Sequence, residues 1–324
     1  MPTILVTGGA GYVGSHALKE LHAAGFDPVT IDNLSQGHRE AIIEGDFVQG
    51  DLADEALLER LFREYKIEGV MHFASRCYVG ESVKDPQLYY QEVVNALMLL
   101  RLMLRHGVHR FTLSSTCATY GNPVQVPISE DHPQDPVNPY GEMKYFLERI
   151  LRQYDRAYGL KFVALRYFNA AGAHLEGLLG ESHHPETHLI PRLLQSALGN
   201  GGPVEVYGDD YPTADGTCIR DYIHVQDLAR AHVLALRWLN ETGQSDFFNL
   251  GTGQGYSVQQ VIEAARQVTG RKIPVAGVSR RPGDPPELVA DAAKASRVLS
   301  WTPQHSDLST IIESAWNWEQ KRRY

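Results

Sequence analysis

The heptad Gly8-Gly9-Ala10-Gly11-Tyr12-Val13-Gly14 follows a short apolar run, Thr3–Thr7, and opens a segment of helical periodicity from about Tyr12 to Ala24. Strand, glycine turn and helix in that order constrain the chain more than any other feature. Glycines let the backbone approach a pyrophosphate closely, and a helix N-terminus offers unpaired N–H groups and a partial positive charge. A glycine heptad alone suits a plain tight turn as well. Here the second apolar run ends at Asp32, where an acidic residue can accept a hydrogen bond from a ribose 2′-hydroxyl and repel a 2′-phosphate. The combination predicts a dinucleotide site selective for NAD over NADP. The competing role for Asp32 is a turn-forming Asp before Asn33. Asp51, after the third run, suits the adenine end of such a site or the N-cap of the next helix.

The first half of the chain continues the pattern. Apolar, β-rich runs at Val29–Asp32, Phe47–Gln49, Gly69–Ala74, Arg110–Ser114 and Phe162–Phe168 alternate with helical segments. That alternation predicts an α/β fold: a Rossmann-like doubly wound parallel sheet with a smaller α/β C-terminal substrate domain. The expected division is 1–170 for the NAD-binding domain and 171–324 for the second, with segments near 221–250 returning to the first. Gly172–Thr187 and Gly199–Asp221 are rich in Gly, Pro, His and charge, and read as loops at the substrate site, too polar for central strands.

Composition narrows the function. A net charge of −9 and a pI near 5.9 argue against nucleic acid or an anionic membrane as the main partner. Cys77, Cys117 and Cys218 are far apart and in no ligand or CxxC spacing, so reduced thiols and a cytoplasmic location are expected. The segment after Met1 has no signal-peptide pattern, and no apolar stretch is long enough to span a bilayer. No metal is expected: His174, His183, His184 and His188 show no ligand spacing and read as part of a polar loop.

Tyr140-Gly141-Glu142-Met143-Lys144 follows Pro139 at a helix start, placing Tyr140 and Lys144 on one face. A phenol titrates near pH 10, so service as a base at neutral pH requires a depression of roughly three units, about 4 kcal/mol, which nearby cations can supply. With 16 tyrosines in 324 residues, a chance YxxxK is common, and an ordinary helix face is the alternative. Position adds specificity. Ser114-Ser115-Thr116 closes the fifth strand at the edge where open α/β sheets bind ligands, and the Thr116 hydroxyl is placed either to bridge substrate and phenol or to cap the strand end.

GxxGxxG, Ser-Ser-Thr and YxxxK in this order resemble the extended short-chain dehydrogenase/reductases over nearly the whole chain. Val79–Val83, Arg166-Tyr167-Phe168-Asn169, Gly172-Ala173-His174, Tyr211–Thr217, Arg220–Val225 and Arg280–Asp284 narrow the resemblance to the UDP-glucose 4-epimerases. The resemblance implies NAD-dependent, reversible epimerisation at C4 of UDP-hexoses through a transient 4-keto sugar, in a homodimer. It assigns Tyr140 as the base, Lys144 as its electrostatic partner and Thr116 as the hydroxyl partner. It assigns Gly8, Gly11, Tyr12, Val13, Gly14, Asp32, Asn33, Asp51, Leu52, Phe73, Ala74 and Tyr167, with Tyr140 and Lys144, to NAD. It assigns Asn169, His188, Leu189, Tyr207, Arg220, Arg281, Asp284 and Leu288, with Thr116 and Tyr140, to the UDP-sugar. Paired guanidinium groups suit a diphosphate, though ion pairs of Arg220 with Asp221 and Arg281 with Asp284 are the alternative.

The chain departs from the family pattern in places. Thr116 replaces a common serine, Glu92-Val93-Val94 stands where Asn-Asn-Val is frequent, and Ser75, Arg76 and Cys77 replace commoner residues. Leu288 stands where a larger tyrosine narrows the hexose pocket in some epimerases, which extends the expectation to N-acetylated UDP-hexoses. A 4,6-dehydratase fits less well, because Cys117-Ala118 follows Thr116 where such enzymes carry Asp-Glu. A non-catalytic NAD-binding sensor would have no use for Tyr140, Lys144 and Thr116 together.

Overall fold

The computed structural model describes every residue except Pro282, which belongs to the Arg280–Asp284 motif and lies outside the described residues. The strands are β1 (Thr3–Thr7), β2 (Asp27–Asp32), β3 (Asp46–Gln49), β4 (Ile67–His72), β5 (Arg110–Thr116), β6 (Lys161–Tyr167) and β7 (Asn169–Ala171). They continue as β8 (Val204–Tyr207), β9 (Ile219–His224), β10 (Asp246–Leu250), β11 (Gly255–Ser257), β12 (Val275–Val278) and β13 (Glu287–Leu288). The helices are α1 (Tyr12–Ala23), α2 (Glu55–Glu64), α3 (Val79–Lys84), α4 (Pro86–Arg105) and α5 (Pro139–Tyr158), then α6 (Leu189–Ala197), α7 (Val225–Thr242), α8 (Val258–Thr269), α9 (Ala293–Leu299) and α10 (Leu308–Gln320).

The chain forms two compact units. The first comprises Met1–Gly121, Gln134–Arg166 and Ala229–Phe248. Its sheet has seven strands in the order β10-β6-β5-β4-β1-β2-β3, with β1 pairing in parallel to both β2 and β4, and β2–β3 and β4–β5 also parallel. The order places β1 centrally, with the chain winding one way to β2 and β3 and then crossing back to β4 and β5. This is a Rossmann-like doubly wound sheet, whose switch point lies between β1 and β4. Leu5, Val70, Phe111 and Ala164 bury one face with α4 and α5, while Ile4, Val6 and Met71 bury the other with α1 and α7. β2, β3 and β5 run one or two residues beyond the apolar runs, with Asp27 carried into register opposite Thr3 whatever its polarity, while β4 and β6 start earlier and stop at His72 and Tyr167.

The second unit comprises Asn122–Pro133, Tyr167–Leu228 and Asn249–Tyr324. Here the expectation of loops in 199–221 is corrected. That stretch holds β8 and the start of β9, and β9 is the centre of its small sheet, paired with β7, β11 and β13. Polarity does not exclude a central strand when each buried group has a partner. Asp221, fully buried, accepts from the Thr252 and Gly253 backbone N–H groups, the Thr252 hydroxyl and Ala290 N–H, and Arg220 pairs with Asp284.

Candidate active site

The glycine loop is built for close approach. Gly8 N–H donates to Ile31 O at 2.9 Å, and α1 starts under the turn with Gly11 at its N-cap. A Cβ on Gly14 would lie 2.2 Å from Gly8 O, so only glycine allows the helix to begin this near the strand. The first turn of α1 carries no acidic residue and no side-chain cap, which leaves its N–H donors and dipole available to an anion. These features fit a dinucleotide pyrophosphate at Gly11, Tyr12, Val13 and Gly14.

Asp32 ends β2 and forms the turn weighed for it from the sequence. Its Oδ1 accepts Leu34 N–H at 2.8 Å, forming the turn, and its Oδ2 accepts Ala10 N–H at 3.0 Å, tying the turn to the glycine loop. Burial raises its carboxyl, against the lowering effect of those two bonds. Asp51 accepts Asn33 Nδ2–H at 2.7 Å, which joins two residues assigned to the cofactor. The capping role weighed for Asp51 belongs to Asp54, whose side chain accepts Leu57 N–H at the start of α2. Leu52 packs on the core, and Phe73 and Ala74 follow β4 with both N–H groups donated to Thr7 O. Tyr167 is the last residue of β6.

Asn138 caps α5 by accepting Gly141 N–H at 2.9 Å, Pro139 holds the first helical position, and Gly159 ends the helix in the left-handed region. Tyr140, Lys144 and Glu148 share the inward face at four-residue spacing. Gly141 sets how near that face comes to the end of β5, for a Cβ there would meet Ala118 O at 2.5 Å. Sequence reasoning missed this glycine, although it sits inside the Tyr-Lys motif.

Thr116 Oγ1 accepts Ala118 N–H at 3.1 Å, so it does cap the strand end. Accepting leaves its hydroxyl hydrogen to donate elsewhere, and the two roles weighed for it are compatible. Lys144 is 2 % exposed and donates from Nζ to Ser114 O at 2.9 Å. Burial lowers its ammonium to about 8, with Glu92, Cys77 and Glu148 opposing the drop. The Tyr140 ring packs edge-on to Tyr89 with centroids 6.3 Å apart.

Two further groups were given no role in the sequence reading. Glu148 and Arg166, each with 1 % of the side chain exposed, form a bidentate pair at 2.9 and 2.7 Å, and Ser115 Oγ donates to Glu148 at 2.6 Å. This network ties the residue before Thr116 to the helix carrying Tyr140. The signal was available as the third member of the i, i+4, i+8 series on α5. The departures at Ser75, Arg76 and Glu92 form a matched set: Glu92 accepts from Ser75 Oγ at 2.7 Å and from Arg76 N–H at 2.8 Å. Burial raises the Glu92 carboxyl, and those bonds with the Lys144 charge pull it back.

In the second unit, Arg220 pairs with Asp284 and not with Asp221, so the ion pairs weighed from sequence neighbours are corrected. Asp221 is instead consumed by the 252–253 turn and Ala290. Arg281 stacks on Tyr207, its guanidinium carbon 3.8 Å from the ring centroid. Leu288 pairs in register with Arg220 across β13 and β9, and Asn169 with Tyr222 across β7 and β9. His188 is the N-cap residue of α6 and Leu189 its first residue.

Comparison with known proteins agrees with this arrangement. Residues 4–251 match the model of the NAD dependent epimerase/dehydratase family. The chain is 51 % identical over 320 residues to a UDP-glucose 4-epimerase of Lacticaseibacillus casei, covering 98 % of this chain and 97 % of that one. The structure is similar to UDP-glucose 4-epimerase from Brucella ovis in complex with NAD, with a TM-score of 0.95, 51 % identity and 98 % of both chains covered. It is also similar to the enzyme from Bifidobacterium longum in complex with NAD+ and UDP, with a TM-score of 0.94, 41 % identity, and coverage of 99 % and 98 %.

Proposed function

Since the chain belongs to the NAD dependent epimerase/dehydratase family, we propose that it is an NAD-dependent isomerase that inverts C4 of UDP-hexoses, interconverting UDP-glucose and UDP-galactose. The observation that carries the chemistry is Lys144, a sealed ammonium one helical turn from Tyr140 and anchored to the end of β5. A buried cation lowers a neighbouring phenol far more than an exposed one, because little solvent screens it.

Tyr140, as phenolate, takes the proton of the 4-hydroxyl, and Thr116 positions that oxygen through its hydroxyl hydrogen. NAD, when bound, supplies reversible hydride chemistry at C4. Gly8, Gly11, Tyr12, Val13, Gly14, Asp32, Asn33, Asp51, Leu52, Phe73, Ala74 and Tyr167 hold it, with Tyr140 and Lys144. Asn169, His188, Leu189, Tyr207, Arg220, Arg281 and Asp284 hold the UDP moiety, and Leu288 borders the hexose. Firm contacts to UDP and sparse contacts to the sugar let the 4-keto hexose present its other face, after which Tyr140 returns the proton. The first unit is thus the NAD-binding domain and the second the UDP-sugar-binding domain. Incubation with UDP-glucose should yield UDP-galactose with no net change in the NADH absorbance band. Steady NADH accumulation would identify a dehydrogenase instead.

The same reading includes a homodimer. Leu88, Tyr90 and Val94 on α4 and Phe146 on α5 are exposed apolar side chains on two helices that pack against each other. A patch of this kind on a pair of helices suits a self-complementary four-helix contact. Sedimentation should give twice the chain mass, and Val94→Glu with Phe146→Glu should halve it. A wild-type monomer at tens of micromolar would remove the proposal. No disulfide joins Cys77, Cys117 and Cys218, and among the described residues no helix is long and apolar enough to cross a membrane, which suits the cytoplasm.

A further inference from the structure

The loop before α6, read from its histidines as a polar segment, brings four possible metal-ligating side chains together. Glu181, His183, Glu186 and His188 each offer one ligand atom, and the four atoms lie within 4.8 Å of one another. His188 Nδ1 is 2.7 Å from Glu181 Oε1 and 3.0 Å from Glu186 Oε1. His183 Nδ1 is 3.2 Å from Glu181 Oε1 and 3.6 Å from Glu186 Oε2. Tetrahedral coordination with bonds of about 2.0–2.1 Å sets ligand atoms roughly 3.3 Å apart, and the His–Glu contacts lie around that value, so small side-chain shifts bring the four atoms to it.

The two carboxylates are buried, while 38 % of the His188 side chain is exposed. The Glu181 and Glu186 side chains are 7 % and 5 % exposed, and Glu186 Oε2 is buried without a hydrogen-bond partner. The loop is fastened to α10, where Trp318 Nε1 donates to Glu181 O at 3.0 Å. The Tyr324 hydroxyl is the acceptor for Gly180 N–H at 3.3 Å. Glu319 on the same helix is paired with Arg322 and adds no net charge. Two carboxylates and two imidazoles gathered in this way are a donor set that a divalent cation can take up.

We propose that Glu181, His183, Glu186 and His188 bind a divalent transition-metal ion of the zinc class that clamps this loop onto α10. Four mixed nitrogen and oxygen donors favour zinc over the harder magnesium and calcium ions, which take six or more oxygens. The site supplies all four ligands from protein, so its role is structural. His188 also heads α6, and the clamp would fix the backbone from which His188 and Leu189 project.

The test uses the untagged full chain, stripped with a chelator and dialysed against zinc. Elemental analysis should find about one zinc per chain, and the melting temperature should rise with zinc concentration. Cobalt in its place should give the visible bands of a tetrahedral site. Glu181→Gln with His183→Ala should weaken zinc binding at least about 100-fold with the circular dichroism unchanged, and His183→Cys should retain cobalt and add a thiolate charge-transfer band. If the double variant fails to fold, the wild-type stoichiometry and the His183→Cys spectrum decide. No uptake by the wild type, uptake undiminished in the folded double variant, or cobalt bound by His183→Cys without the thiolate band would overturn the site. The first outcome would mean that protons alone satisfy the cluster.

Discussion

Tyr140→Phe should lower kcat for UDP-glucose by about 10²- to 10⁴-fold, the usual span for removing a general acid–base group, while NAD binding and stability stay near wild type. The substitution deletes one oxygen and keeps the ring. The edge-on packing against Tyr89 and the partly buried contacts with the core around α4 and α5 therefore remain. Lys144 keeps its bond to Ser114 O, so the helix and β5 stay joined. An unchanged kcat would mean that the phenol takes no part in the proton transfer.

The second large effect is structural. Arg166→Met should destabilise the fold by about 3–5 kcal/mol, because it strands the Glu148 carboxylate, 1 % exposed, without its bidentate cation. The guanidinium also donates to Tyr120 Oη at 2.9 Å and to Gln134 Oε1 at 3.2 Å, so several buried acceptors lose a donor together. Adding Glu148→Met should recover much of the loss, since replacing both members of a buried pair removes the unpaired charge. Chemical denaturation of the two single variants and the double variant measures it. Because Ser115 is held through Glu148, the single variant should also lose activity at temperatures where it remains folded.

Much of the first unit was legible in the sequence. Parallel strands buried on both faces read as continuous apolar runs: those at Thr3–Thr7 and Arg110–Ser114 fall on strands of the seven-stranded sheet, and Phe162–Phe168 does so up to Tyr167. The glycine heptad, Asp32 and the Tyr-Lys pair were legible because each depends on spacing of a few residues. What escaped depends on partners distant in the chain. Asp221 lies in a stretch that reads as loop, and it is its bonds to Thr252, Gly253 and Ala290 that make β9 a central strand. Arg220 chose Asp284, 64 residues away, over its neighbour Asp221, whose side chain points to the opposite face of the strand. The histidines after Gly172 were visible, but Glu181 and Glu186 acquired meaning only when the loop folded back and brought them together. The nicotinamide and uridine contacts were reached through the resemblance, since composition and periodicity carry no trace of them.

The account stands on Tyr140 taking a proton from the C4 oxygen and not the hydrogen carried on the C4 carbon. UDP-glucose deuterated at C4, incubated in ordinary water and analysed by mass spectrometry and proton NMR, tests this directly. The UDP-galactose formed should retain its deuterium at C4, with turnover slowed by a primary isotope effect if hydrogen transfer limits the rate. Deuterium lost to solvent as product forms would place the base at carbon and contradict the mechanism.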